Sequence, residues 1–415
     1  MSRRRVEAPA DPRGGGVRHQ AAESGGDPYG FNSLRMDWLR SKASVKWHRP
    51  GADVLPAWIA DMDFPLAPPV RAALDAVLDR GDLGYPEWFD GTPPLAEVFA
   101  RRMAERYDWA PDPAHARTFD DLIQIVQLVL HLTTAPGDGV ALHMPNYPPF
   151  LQTLDEMNRP PVPIPMEPAA GGWTFDPGRL ADAATEGRCR TLLLVNPQNP
   201  TGRVFTRSEL AGIAEVVVEH DLLVVVDEVH ADLAYPPNQH IPFASLGPEV
   251  AERTVTISSA TKAFNMAGVR CAIGHFGPPT LRATLAAQPK DLFGVVGVLG
   301  MAATVAAWTD SDDWLAGVRA HLRANRDLLA ELLADQLPGV RFRSPEATYL
   351  AWLDCRELGL AAEPAEFFRT RAGVELSPGP DFGPGGVGYA RLNFATSAGI
   401  LTEIVDRMSR AVRGR

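Results

Sequence analysis

The sequence predicts an α/β chain: a large domain with a mainly parallel sheet covered by helices, and a smaller α+β domain. Three observations lead there. The runs Leu192-Leu193-Leu194-Val195 and Leu223-Val224-Val225-Val226 show no polar alternation, as expected of strands buried on both faces. Short apolar runs alternate with stretches of helical spacing through the middle of the chain. After Trp308 a long helical stretch leads into a different grouping of strand, helix and strand.

In chain order, residues 1–27 hold almost no large apolar side chain and read as a disordered tail, because they cannot bury enough surface to offset chain entropy. Val70–Arg80 carries apolar residues at helical spacing, and Leu95–Tyr107 does so after entry through Pro93-Pro94. Leu122–Thr133 reads as a buried helix stopped by Pro136-Gly137-Asp138. Gly139–His143, Thr191–Val195, Leu222–Val226 and Thr254–Ser258 are short, apolar and bounded by turn residues, so they read as core strands. A helix over Trp314–Leu337 precedes the strand Tyr349–Asp354, the helix Pro364–Arg371 and the strand Ala390–Phe394. The expected division is a large domain over 71–315 and a small one from 28–70 and 316–415. No internal repeat is evident.

Composition narrows the function. The 415 residues are 45% hydrophobic and 22% charged, enough for a sizeable soluble core. Lys and Arg total 40 against 51 Asp and Glu, a net charge of −11 that repels phosphate backbones and anionic lipids. Nucleic-acid and membrane-surface roles are therefore disfavoured. Cys189, Cys271 and Cys355 are scattered with no CxxC pair, which argues against a disulfide framework or structural zinc. No apolar run reaches the ~18 residues of a membrane span. Arg3-Arg4-Arg5 leads into no apolar leader core. The expectation is a cytoplasmic protein.

Three segments carry chemistry, each at a strand end, where open α/β sheets bind ligands. Asn196-Pro197-Gln198-Asn199-Pro200-Thr201-Gly202 follows one buried strand and alone would be an ordinary turn. Val226-Asp227-Glu228-Val229-His230 follows the next, and a carboxylate there is costly unless paired. Ser258-Ser259-Ala260-Thr261-Lys262 follows the third, with Arg270 eight residues beyond the lysine. A lone lysine at a strand end is usually a surface residue, but the three segments together, in this order, are specific.

Together they resemble the fold-type I pyridoxal 5'-phosphate (PLP) enzymes of the aspartate aminotransferase superfamily. Leu55-Pro56-Ala57-Trp58-Ile59-Ala60-Asp61-Met62-Asp63-Phe64, the preceding Lys46-Trp47, Gly84-Tyr85-Pro86, and Pro145-Asn146-Tyr147-Pro148-Pro149-Phe150 are similar to the MalY/PatB branch of cystathionine β-lyases. So are the His230 that stands three residues after Asp227, Gly379-Pro380-Asp381-Phe382-Gly383, and Ala390-Arg391-Leu392-Asn393-Phe394. The resemblance spans about 31–412 and implies a seven-stranded, mainly parallel large-domain sheet. It implies Lys262 as the Schiff-base lysine, Asp227 as partner of the pyridine nitrogen, Asn199 as donor to the ring oxygen, and His230 beside it. Ser259 and Arg270 would take the phosphate, with Tyr85 reaching that of a neighbouring subunit in a homodimer with composite sites. Tyr147 would stack on the ring. Arg391 would clamp the substrate carboxylate, with Asn199, Ala60 and Tyr85 on the substrate side. The catalytic set that the resemblance implies is Lys262, Asp227 and Tyr147.

One segment departs from the family pattern. Asp121 to Val126 stands where the family has a glycine-containing turn whose amides hold phosphate, and Ile125 replaces a glycine. Either the turn uses ordinary backbone angles or the grip differs, with Ile123 and Gln124 supplying donors. The activity implied is carbon–sulfur β-elimination from an L-cysteine conjugate to thiol, pyruvate and ammonia. The alternatives are aminotransfer and a specialised natural-product reaction on a cysteine conjugate (β-elimination or decarboxylation-coupled oxidative deamination). A non-enzymatic regulatory role is opposed by the complete set Asp227, Lys262, Arg270 and Arg391.

Overall fold

A computed structural model of the chain describes residues 27–89, 93–169 and 172–414, so the expected N-terminal tail lies outside the described residues, apart from Asp27. The main sheet has eight strands. In spatial order they are Ala116–Phe119, Ala272–Phe276, Thr254–Ser258, Leu223–Asp227, Thr191–Val195, Val140–Met144, Pro161–Ala169 and Gly172–Phe175. The five from Thr254–Ser258 to Pro161–Ala169 run parallel. Ala272–Phe276 runs against both its neighbours.

The eighth strand, one beyond the seven expected, comes from a hairpin of Pro161–Ala169 with Gly172–Phe175. Sequence reading passes over it because Pro161, Pro163, Pro165 and Pro168 interrupt the run. The strand tolerates them because its first half pairs only with Val140–Met144 and its second half only with the hairpin partner. Val162, Ile164 and Met166 point inward while the prolines between them face out or are half-buried.

The unbroken apolar runs behave as their composition demands. Leu192, Leu194, Val224 and Val226 enter the core on one face, and Leu193, Val195, Val225, Val255 and Ile257 that on the other. The observed Thr191–Val195 and Thr254–Ser258 strands match expectation, as does the Leu122–Thr133 helix. The other expected elements agree within about three residues at each end, the usual uncertainty of boundaries.

A second, antiparallel sheet orders Arg341–Phe342, Leu350–Asp354, Tyr389–Asn393 and Ser377–Pro378. The helices Asp312–Gln336 and Ala398–Arg413 pack on one another behind it. Leu55–Pro56 pairs in parallel with Val374–Glu375, which ties the 50s segment to this C-terminal unit. Among the described residues no helix is long and apolar enough to cross a membrane, and all three cysteines are buried and free.

Candidate active site

The parallel strands end together, and the side chains just past their ends converge. Asp227 is the last residue of its strand and is 6% exposed. Its Oδ1 accepts the Val229 amide at 3.0 Å, and no cation pairs with it among the described residues. Burial raises its carboxyl from 3.8 to about 7, against the opposing pull of that amide and Lys262. Three residues on, His230 is 3% exposed with its Nδ1 lacking a hydrogen-bond partner. Burial, then the nearby Lys262 and Arg391 charges, lowers its pKa to about 3, so the imidazole is neutral.

Lys262 follows the next strand, and its Nζ donates to the Ala60 carbonyl at 3.1 Å. Burial lowers the ammonium pKa, partly offset by Asp61 and Asp227. The Ala60 carbonyl also accepts the Tyr349 hydroxyl at 2.8 Å. The loop carrying Ala60 is held from both sides. Asn265, at φ 55°, accepts the Met62 amide and donates to the Phe64 carbonyl. Beneath it Lys46 and Asp63 form a buried ion pair at 2.9 Å, with the Trp47 indole donating to the same carboxylate.

Arg391 lies in the strand Tyr389–Asn393 and is 5% exposed. Its Nη1 donates to Asn199 Oδ1 at 2.9 Å, and its Nη2 to the Trp58 carbonyl at 3.1 Å and Ser377 Oγ at 3.2 Å. Sheet register sets Ser377 directly opposite Arg391. The guanidinium stands over the Phe382 ring at 4.8 Å. No carboxylate pairs with it among the described residues, its Nε is buried without a partner, and burial lowers its pKa to about 10. A buried, uncompensated guanidinium favours a ligand carboxylate. Asn199 reaches it because the Asn196–Gly202 turn closes tightly: Gly202 has φ +69°, and a Cβ there would stand 2.2 Å from the Pro345 side chain.

The opposite end is more open. Asp121 caps the Leu122–Thr133 helix by accepting the Gln124 amide at 2.8 Å, and it pairs with Arg270. Ser259 Oγ donates to the Cys271 carbonyl at 2.6 Å. Ile125 is a buried interior residue of the helix, so the segment uses ordinary helical angles and needs no glycine there. Gln124 is engaged elsewhere: its side chain donates to the Phe293 carbonyl at 3.1 Å and accepts the Asp120 amide, and its own amide is spent on the cap. One N–H of the Gln124 side chain is thus committed to the Phe293 carbonyl. The Leu122 and Ile123 amides, at the first turn of a 12-residue helix, suit an anion.

A cavity of about 160 Å³ joins these ends, lined among others by Ala60, Ile123, Tyr147, Asn199, Asp227, His230, Ser259, Lys262 and Arg270. A wider cleft of about 710 Å³ behind Phe367, Arg371 and Arg407 lies on the other unit, away from the strand ends. Tyr85 is 91% exposed and does not line the cavity of its own chain. Sequence reading gave no role to Ser377, Tyr349 or Asn393, all of which brace the site. The residues present fit PLP: an amine for its aldehyde, a buried carboxylate lacking a cation, an orphaned imidazole nitrogen, and a helix N-terminus with Arg270 at the far end.

The chain matches the family model "Aminotransferase class I and II" over residues 61–408. It is similar to cystathionine beta-lyase PatB of Bacillus subtilis (strain 168), 30% identical over 89% of this chain and 96% of that one. It is 30% identical to the cystathionine beta-lyase of Corynebacterium glutamicum, over 90% of this chain and 98% of that one. The PLP-bound C-S lyase of Staphylococcus hominis, in external aldimine form with L-cycloserine, superposes with a TM-score of 0.85 at 26% identity, covering 93% and 100% of the two chains.

Proposed function

Because the chain belongs to the class I and II aminotransferase family, we propose that it is a PLP-dependent carbon–sulfur β-lyase that cleaves an L-cysteine S-conjugate to thiol, pyruvate and ammonia. The observation that carries an amino-acid substrate is Arg391, a buried guanidinium without a carboxylate partner among the described residues, beside the cavity that holds Lys262 and Asp227. The lyase outcome is supported by the names of the relatives.

Bound PLP supplies an electron sink for negative charge at the substrate Cα. Arg391 binds the α-carboxylate and so orients the Cα–H. Lys262, its ammonium destabilised by burial, takes that proton on Nζ. Asp227 would hold the ring nitrogen, and a cation in contact there would bring its raised pKa back down and keep it ionised. Neutral His230, three residues on, adds no positive charge to the site. The carbon–sulfur bond then breaks toward sulfur as a Cα–Cβ double bond forms, and water hydrolyses the released unsaturated amine to pyruvate and ammonia.

The homodimer belongs to the same proposal. Leu78, Leu83, Tyr85, Leu292 and Val295 are large and exposed. They lie on or next to the Pro68–Asp79 and Val298–Asp310 helices, which pack together, and a partner subunit would cover them. The division into large and small domains is supported by the pairing of Leu55–Pro56 with Val374–Glu375. Its second boundary fits Ser311, between two helices, better than 315, which lies inside the Asp312–Gln336 helix. The scattered free thiols are compatible with the cytoplasmic location read from the sequence. The deciding experiment offers cystathionine, cysteine and S-substituted cysteines and scores pyruvate, thiol and keto acid separately. Pyruvate with stoichiometric thiol supports the lyase. A keto acid that keeps the sulfur would mark an aminotransferase instead.

A further inference from the structure

We propose that Asn393 is a positioning residue for Lys262, acting through the three-residue turn Ile59-Ala60-Asp61, whose central carbonyl holds the lysine amine. Asn393 lies two residues beyond Arg391 on the same strand, hence on the same face. It is 2% exposed, and its Nδ2 donates to the Ile59 and Asp61 carbonyls, each at 2.7 Å. Its Oδ1 accepts the Ala395 amide at 2.7 Å, and its backbone amide donates to the Ala57 carbonyl at 2.8 Å. The side chain is fixed at both ends.

The turn is closed by the Asp61 amide donating to the Ile59 carbonyl at 2.9 Å. In a planar trans peptide the N–H and C=O point oppositely. With the Asp61 amide turned back on Ile59, the Ala60 carbonyl must face away from it. There it meets Lys262 Nζ at 3.1 Å and the Tyr349 hydroxyl at 2.8 Å. Among the described residues this carbonyl is the one hydrogen-bond acceptor of Lys262. Asn393 touches neither the cavity nor the lysine, yet together with Lys46, whose Nζ also donates to the Asp61 carbonyl at 2.9 Å, it sets the direction of the oxygen that does. Tyr349, joined to the same strand by the Phe394 amide donating to its carbonyl at 3.0 Å, shares that oxygen with the lysine and weakens its hold on the ammonium. The carbonyl is thus a resting place for the amine whenever it is not bonded to the cofactor, and it keeps the amine within reach of Cα.

The inference rests on Lys262 being the cofactor lysine, so borohydride labelling of the wild-type protein comes first; a label elsewhere overturns that reading and not this geometry. Two variants then test the turn. Tyr349→Phe keeps the buried ring and leaves the carbonyl to the lysine, so the ammonium is favoured. Asn393→Ala frees the Ile59 carbonyl and leaves Asp61 to Lys46 alone, so the turn loosens and the ammonium's acceptor is less firmly aimed. The readout is the pH dependence of the rate at which the full-length chain, stripped of cofactor, captures PLP. Its midpoint should rise by about half to one pH unit in Tyr349→Phe and fall by a similar amount in Asn393→Ala. Exchange of Cα–H with deuterated solvent, a step common to lyases and aminotransferases, should fall about tenfold or more in Asn393→Ala, with amino-acid affinity changed by less than about threefold. Opposite shifts support the proposal, since general loosening cannot produce them. Midpoints that stay put or move together overturn it. If Asn393→Ala does not fold, an unchanged midpoint in Tyr349→Phe alone overturns it.

Discussion

The two ends of the cavity are built on opposite principles. At one end Asp227, His230 and Arg391 are all at most 6% exposed, and each carries a pKa displaced mainly by burial. At the other, the Arg270 side chain is 59% exposed and shares its charge with Asp121. Dry surroundings magnify each charge, which suits groups that must stabilise changing charge at reacting atoms. An exposed arginine is worth less per contact but can release and recapture a phosphate without a large desolvation cost. The comparison teaches that rate belongs to the buried end and cofactor retention to the open one.

The largest effect would come from breaking the buried end outright. Lys262→Ala should lower turnover by more than about a thousandfold at any cofactor concentration, because it removes both the base and the attachment point. Borohydride reduction with peptide mapping should place the pyridoxyl label on Lys262 in the wild-type protein and nowhere in the variant. Arg270→Ala should behave differently, with PLP affinity lower by about ten- to a hundredfold and turnover at saturating PLP within about threefold of wild type. Equal loss of turnover in both variants would erase the distinction between the ends.

Asp227 sharpens it through pH. With its folded pKa near 7 and an ordinary value of 3.8, the cofactor-free fold holds a proton there that the unfolded chain has released. That favours the fold below about pH 4, and the benefit is lost as pH rises toward 7, a change on the order of 2–4 kcal/mol. Asp227→Asn carries no such liability. The stripped variant should therefore melt higher than stripped wild type at pH 8, with the gap closing as the pH is lowered toward 5. The loaded variant should turn over about a hundred- to a thousandfold more slowly, since a neutral amide cannot hold the ring nitrogen cationic. Thermal melts across pH, paired with steady-state rates, check both halves. A variant that is no more stable at pH 8 would mean that the carboxylate is not held against its own solvation.

The buried end was also the legible one. Apolar strands ending in Asn, Asp and Lys advertise themselves, because a polar group there needs a reason. Arg391 was readable for the same cause. Asn393 stands two residues along in the same quoted motif, and the two-residue period of a strand places it on Arg391's face, but its targets are backbone carbonyls more than 300 positions away, which no pattern reveals. Tyr349 and Ser377 were missed likewise, since tertiary hydrogen bonds to backbone leave no spacing signature. The open end was harder to read in detail. Ile125 looked disruptive only because a glycine turn was expected, and Gln124 looked free only because the 290s loop that takes its side chain is distant in sequence.

Tyr85 gives an effect no larger than that of Arg270 and the finest test, because it asks whether the open end is completed by another chain. It is 91% exposed and lies outside its own cavity, in a segment beside other exposed apolar residues. If it donates to the phosphate bound by a partner subunit, Tyr85→Phe should cost one hydrogen bond to a charged group, roughly 1.5–3 kcal/mol, or about ten- to a hundredfold in PLP affinity. Turnover at saturating PLP should scarcely change. Mixing Tyr85→Ala chains with Lys262→Ala chains locates the contact. In a composite site the lysine of the first chain meets the tyrosine of the second, while both lesions fall together in the other site. At a PLP concentration too low to load the Tyr85→Ala homodimer, mixing should therefore restore one working site per heterodimer. Heterodimers that form and stay inactive would confine Tyr85 to the surface of its own chain, leaving retention to Arg270, Ser259 and the helix N-terminus.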